Sequence, residues 1–131
     1  MINSRRTDVV ALLSNPKQGR PSGPSRMRSS TRQATTAECI IIGAGHAGLS
    51  VARGLQQNGV EPILIEQLPA IGDAWRNRYE RLHLHHLTDA MHLPGVKFPA
   101  HVPRYPSRLD LADYLEAYAA LHRLDVRLSH R

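Results

Sequence analysis

Gly43, Gly45 and Gly48 fall in the spacing G-x-G-x-x-G, directly after the apolar run Cys39–Ile42. Glycine at these three places does three jobs when a pyrophosphate has to be held. Gly43 permits a tight turn out of a strand, Gly45 lets a phosphate approach backbone that carries no Cβ, and Gly48 lets the next helix pack close to the sheet. The start of that helix offers free N–H groups and the positive end of a dipole. Gly43–Gly48, with Ala44, His46 and Ala47 between the glycines, is therefore the candidate phosphate loop. Glu66 follows 18 residues beyond Gly48. A carboxylate there can accept hydrogen bonds from both hydroxyls of an adenosine ribose, and it repels a 2′-phosphate, which argues against NADP at this site. The plain alternative is a glycine-rich turn in an ordinary βαβ unit, with Glu66 solvated.

Other side chains raise narrower questions. His46 lies in the first helical turn, where the dipole disfavours a charged imidazole. It is either a neutral hydrogen-bond donor near phosphate or an exposed side chain. Trp75, the only tryptophan, follows Gly72 and suits either a flat ligand or a core anchor. Arg76 and Arg78 face anionic groups or are surface charges, and composition favours core and surface roles for all three. His83, His85 and His86 put three imidazoles into four residues. No H-E-x-x-H and no second ligand cluster accompanies them, so no metal site is expected. Cys39 is the one cysteine, which allows no disulfide within the chain and fits a reducing compartment.

The elements that must position these residues are legible as a series. Cys39–Ile42 reads as a buried parallel strand, β-branched and without polar alternation. Ala47, Val51 and Leu55 recur every four residues, with Leu49 and Ala52 widening one helical face, and Asn58-Gly59 supplies a stop. Pro62–Glu66 is a second strand, and residues 67–80 are a loop turning into a short helix. Leu82–His85 alternates, which suggests a short strand or an extended segment. Pro94, Pro99, Pro103 and Pro106 fix an extended surface loop, with Tyr105 as its anchor. Ser107 and Asp110 form a capping-box pattern that opens a helix to about His122, striped by Leu111, Tyr114, Leu115, Tyr118 and Leu121. Asp125–Leu128 starts a third strand. The class is α/β: an incomplete Rossmann-like βαβ domain with a parallel sheet over residues 37–131, preceded by a disordered basic tail at 1–36.

The formal charge of +6 on the 131 residues sits in that tail, which has seven Lys/Arg and one acid, whereas residues 37–131 carry ten of each sign. The folded part thus lacks the basic balance expected of a nucleic-acid binder. No apolar run approaches the roughly 20 residues of a membrane span, and Val9–Leu13 is too short for a secretory signal core. The tail, rich in Arg, Ser and Pro, is read as disordered, with one transient turn at Asp8–Leu13. A transit peptide, an upstream extension or weak contact with anionic surfaces are the alternatives. The expected location is cytoplasmic, or organellar if the tail is a transit peptide.

Seven pieces fall in one order: Ile40–Leu49, Glu66, Gly72–Tyr79, Leu82–His85, Leu93-Pro94 with Phe98-Pro99, Tyr105–Ser107, and Tyr114–Ala119. That order resembles the N-terminal part of the flavin-containing monooxygenases, especially the bacterial and plant-auxin (YUCCA-like) branch, over about residues 37–131. The resemblance implies FAD at the first G-x-G-x-x-G, its pyrophosphate on Gly43, Gly45 and Gly48 and its adenosine ribose on Glu66. Ala74, Trp75 and Arg76 match or adjoin the family's G-G-x-W region near the cofactor, with Asp73 in place of the second glycine. His85 and His86 match a place where many animal members carry Asn-Thr beside the flavin ring. The implied reaction is NADPH-dependent oxygenation of an unspecified small molecule. The family's second G-x-G-x-x-G, for NADPH, and its F-x-G-x-x-x-H signature do not occur in these residues. The expectation is thus a fragment that does not run the full cycle alone, with an open sheet edge available to a partner chain. Two other readings stay open: the FAD-binding part of another two-dinucleotide oxidoreductase, and a non-catalytic dinucleotide-binding module.

Overall fold

The structure is a computed structural model and describes residues 37–130. The basic tail, with its turn and its targeting roles, lies outside the described residues. Ile40–Ile42 (β1), Ile63–Ile65 (β2) and Asp125–Arg127 (β3) form one parallel sheet in the order β1-β2-β3. Ile41 pairs with Leu64, and Leu64 with Val126. Parallel neighbours need long crossovers. Here the first crossover is His46–Gln57 (α1) and the second ends in Arg108–Leu121 (α4), with the short helices Asp73–Arg76 (α2) and Thr88–Met91 (α3) between them.

The core lies on one face of this sheet. Leu49 and Ala52 of α1, Leu64 of β2 and Leu111, Leu115 and Tyr118 of α4 meet there with Leu84 and Leu93. Ile41 and Val126 close the layer from the strands. The capping box forms as expected: Asp110 N–H donates to the Ser107 hydroxyl, and Ser107 N–H donates to the Asp110 carboxylate. Helix α4 ends at Leu121 with His122 as its cap, and Arg123 then turns left-handed at φ 52°.

Several expectations are corrected. β1 is not buried on both faces: Ile40 is 59% and Ile42 81% exposed. Both point away from the helices, and among the described residues nothing covers that side of β1. In α1 the buried pair is Leu49 and Ala52, whereas Ala47 and Val51 are exposed. A repeat of four drifts about 40° per step around a 3.6-residue helix, so it cannot stay on one face. Leu121 likewise turns out to solvent. Of the two readings of Leu82–His85, the structure has the extended segment and not the strand, with a single antiparallel bridge, His83 to Ser107. Leu84 N–H donates to the Pro106 carbonyl and Arg108 N–H to that of Leu82. Tyr105 is exposed, and its side chain makes no hydrogen bond among the described residues. The proline loop is instead held by α4: Tyr114 Oη accepts from Leu93 N–H at 2.5 Å and donates to the Val96 carbonyl at 2.7 Å, while Tyr118 Oη donates to the Pro94 carbonyl at 3.0 Å. Phe98 stacks on Tyr114 with ring centres 3.9 Å apart.

Candidate functional site

The turn from β1 into α1 is held by the sheet and left open on its outer side. Gly43 N–H donates to the Ile65 carbonyl at 2.8 Å, carrying the ladder one residue past β1. The first bond along α1 is Leu49 N–H to the Gly45 carbonyl at 3.0 Å. Gly45 caps the helix without a side chain, and the first turn holds no acidic residue. The leading N–H groups of α1 therefore keep no partner from a capping side chain, which is the arrangement that receives an anion. Gly48 explains the close packing. A Cβ there would lie 2.0 Å from the Gly43 carbonyl oxygen, and 3.5 Å from Ile41 Cγ2. The space around Gly45 is open: a Cβ there would meet no atom within 4 Å.

Glu66 is not simply solvated. Its Oε2 accepts from Ala44 N–H at 2.8 Å and its Oε1 from Leu68 N–H at 2.9 Å. The carboxylate is thereby fixed beside the glycine loop, and each oxygen keeps lone-pair capacity for a further donor. An open cleft of about 480 Å³ runs past Ile42, Gly43, Ile65, Glu66, Gln67, Leu68, Ala74 and His130. A second, small cavity of about 30 Å³ lies between Ala44, Gly45, Glu66, Gly72, Trp75 and Leu115. Both sit at the carboxyl ends of the strands, where open α/β sheets take their ligands.

The remaining candidates separate. His46 Nε2 donates to the Met91 carbonyl at 2.8 Å, which ties the start of α1 to the end of α3. Ala74 is exposed in the wall of both cavities, and Trp75 is half-buried against the core while lining the smaller one. Arg76 does not face open solvent. Its Nη1 donates to the Ile71 carbonyl at 2.7 Å and to Asp73, and its Nη2 donates to Asp113 at 3.0 Å and Glu116 at 2.6 Å. Burial pulls the guanidinium pKa down, but the bonds to Asp113, Glu116 and Asp73 outweigh it and hold it above the ordinary value. His85 and His86 are exposed and line neither cavity. No cluster of three metal-ligating side chains occurs among the described residues. No helix among them is long and apolar enough to cross a membrane.

Sequence reasoning did not single out Asp113 and Glu116, although their spacing of three on one helix face was a signal. It also passed over Leu68 and His130, which line the cleft. Their place depends on Ser129 N–H donating to the Leu68 carbonyl and His130 N–H to that of Glu66, pairings no local pattern announces.

A parallel βαβ unit, an open glycine loop and a fixed carboxylate at the end of the second strand define a dinucleotide-binding fold. Residues 41–107 match the NAD(P)-binding Rossmann-like domain family, and the chain belongs to it. Over 82 residues it is 44% identical to the probable indole-3-pyruvate monooxygenase YUCCA3 of Arabidopsis thaliana, covering 62% of this chain and 19% of that protein. Among solved structures, the flavin-containing monooxygenase from Stenotrophomonas maltophilia is similar at 29% identity and a TM-score of 0.63, over 68% of this chain and 27% of that one. The bacillithiol disulfide reductase from Staphylococcus aureus is similar at 25% identity and a TM-score of 0.65, over 71% of this chain and 28% of that one. The chain spans about a fifth of the length of the curated relatives it matches.

Proposed function

We propose that residues 37–131 hold FAD as the cofactor-binding part of an NAD(P)H-dependent flavoprotein monooxygenase. The observation that carries this reading is the bond from Ala44 N–H to Glu66 Oε2. It joins a ribose acceptor to the phosphate loop in one cleft, at the end of the sheet where such ligands bind. The open first turn of α1 takes the pyrophosphate, and Gly45 lets it come close. Glu66 keeps its two backbone donors and accepts the ribose hydroxyls with its remaining lone pairs. Ala74 and Trp75 form the facing wall. Similarity to the flavin monooxygenases favours FAD over NAD as the occupant, and it favours a small-molecule substrate oxidised with NADPH. When bound, FAD would supply the redox chemistry, and this chain would orient it. In this reading His85 and His86 stand beside the flavin ring, which only the resemblance supports, and the location is cytoplasmic.

Likeness to the disulfide reductase supports a second reading, in which the same FAD site serves a reductase. Both readings predict retained flavin. The full chain, mixed with FAD and desalted, is expected to keep a visible flavin absorbance band, and E66A to lose it. A wild-type chain with ordered circular dichroism that releases all flavin on desalting would overturn FAD binding.

A further inference from the structure

We propose that Arg76 is a positioning residue, clamped by Asp113 and Glu116 of α4, that sets the wall of the cleft rather than touching the pyrophosphate. The inference rests on the FAD reading for its effect on binding, but its geometry stands without it.

Helix α2 is only four residues long, too short to hold its own shape. Its position must come from outside: Trp75 packs on the core, and two further contacts fix the ends. At its start, Gly72 has φ 86° and sits against α4, where a Cβ would lie 2.8 Å from the Ala112 Cα and carbonyl oxygen. At its end, Arg76 spans from α2 to α4 with both terminal nitrogens bonded to protein acceptors. Arg108 Nη1 closes the ring by donating to the Arg76 carbonyl. Ala74 and Trp75 lie between these two fastenings and line the cavities. A shift of α2 therefore moves the wall that a bound dinucleotide would meet.

The charges also argue against direct phosphate contact. Three carboxylates surround the guanidinium, so the neighbourhood is net negative and repels an anion. The Asp113 and Glu116 side chains are 74% and 58% exposed, so either ion pair contributes little by itself. Their joint removal is the informative change.

The two roles predict opposite signs. If Arg76 contacts the pyrophosphate, the double variant D113N/E116Q frees a cation and tightens FAD binding. If Arg76 positions α2, the double variant weakens binding in the same way as R76Q, by roughly tenfold or more, as small misplacements at a binding wall do. FAD affinity of the full chain is read by quenching of flavin fluorescence. Trp75 is the only tryptophan and reports the wall without any cofactor. Its emission is expected to shift to the red in both R76Q and D113N/E116Q, with R76K returning part of the way because it keeps a charge but not the fork. Unchanged Trp75 emission in folded R76Q and D113N/E116Q overturns the clamp whether or not FAD binds. Tighter or equal FAD binding by the double variant overturns it too. Red-shifted emission in a chain that never retains flavin would leave the clamp standing and sink the FAD reading instead.

Discussion

Gly48 carries a packing requirement that the spacing alone already suggests. A methyl group at that position meets the Gly43 carbonyl oxygen at 2.0 Å, and backbone cannot swing aside as a flexible side chain would. G48A is expected to cost about 3 kcal/mol, the upper end for overpacking, read as a lower denaturant midpoint at unchanged slope. Glu66 is legible as a candidate ribose acceptor, because an acid at the end of the second strand can accept from both hydroxyls. What it does to the protein itself is not legible. The carboxylate satisfies Ala44 N–H and Leu68 N–H, contacts made by backbone that folds back from 22 residues away and from 2 residues away. E66A should therefore lower stability by about 2 kcal/mol even without cofactor, through two donors left short of a partner. E66Q retains one oxygen and should lose less. Equal melting curves for E66A and wild type would show that water replaces the carboxylate at no cost. For His46 the sequence leaves open a neutral donor or an exposed side chain. It is a donor to the Met91 carbonyl, a contact 45 residues distant that no window of sequence contains.

Helices and strands are legible where they carry their own signals. The long α4 has a capping box and an apolar stripe, and its bounds match the expectation to within a residue. The one-turn α3 has no side-chain cap and no apolar stripe, so nothing local marks it. The proline loop shows the same limit from the other side. Tyr105 lies between prolines and draws notice, yet the hydroxyls that hold the loop belong to Tyr114 and Tyr118, whose spacing speaks only for a helix stripe. Burial raises both phenol pKa values, consistent with hydroxyls turned inward. Y114F removes the acceptor of Leu93 N–H and the donor to the Val96 carbonyl while keeping the ring stacked on Phe98. The expected cost is about 2 kcal/mol, because the Leu93 amide is buried and has no other acceptor at hand. Limited proteolysis should then cut residues 93–98 faster, and cleavage at the wild-type rate would show that the stacked ring alone holds the loop.

At β1 one face of the sheet is packed and the other is open, a difference that the strand's own residues do not announce. An Ile-Ile-Ile strand reads the same whether one face or both are covered; the covering elements decide, and α1 and α4 both lie on the Ile41 side. On that packed side the two helices meet at a site with a pH consequence. His122 caps α4 with its carbonyl accepting from Gln56 Nε2 at 3.2 Å, and its ring stands edge-on to Tyr118 at 4.5 Å. Its Nε2 is buried without a hydrogen-bond partner among the described residues. Burial first, and then the Arg53 charge on α1, push its pKa below the ordinary 6.5. The C-terminus of α4 would favour a cation there, but those two causes outweigh it. With the folded pKa depressed, the unfolded chain binds the proton more readily, so stability is complete above pH 6.5 and falls as pH drops toward the folded value. Below that value both states are protonated and the His122 contribution is gone. Urea unfolding across this window should show the loss in the wild type, and H122Q should flatten the slope because glutamine cannot titrate. An identical slope in H122Q would assign the acid sensitivity to other groups.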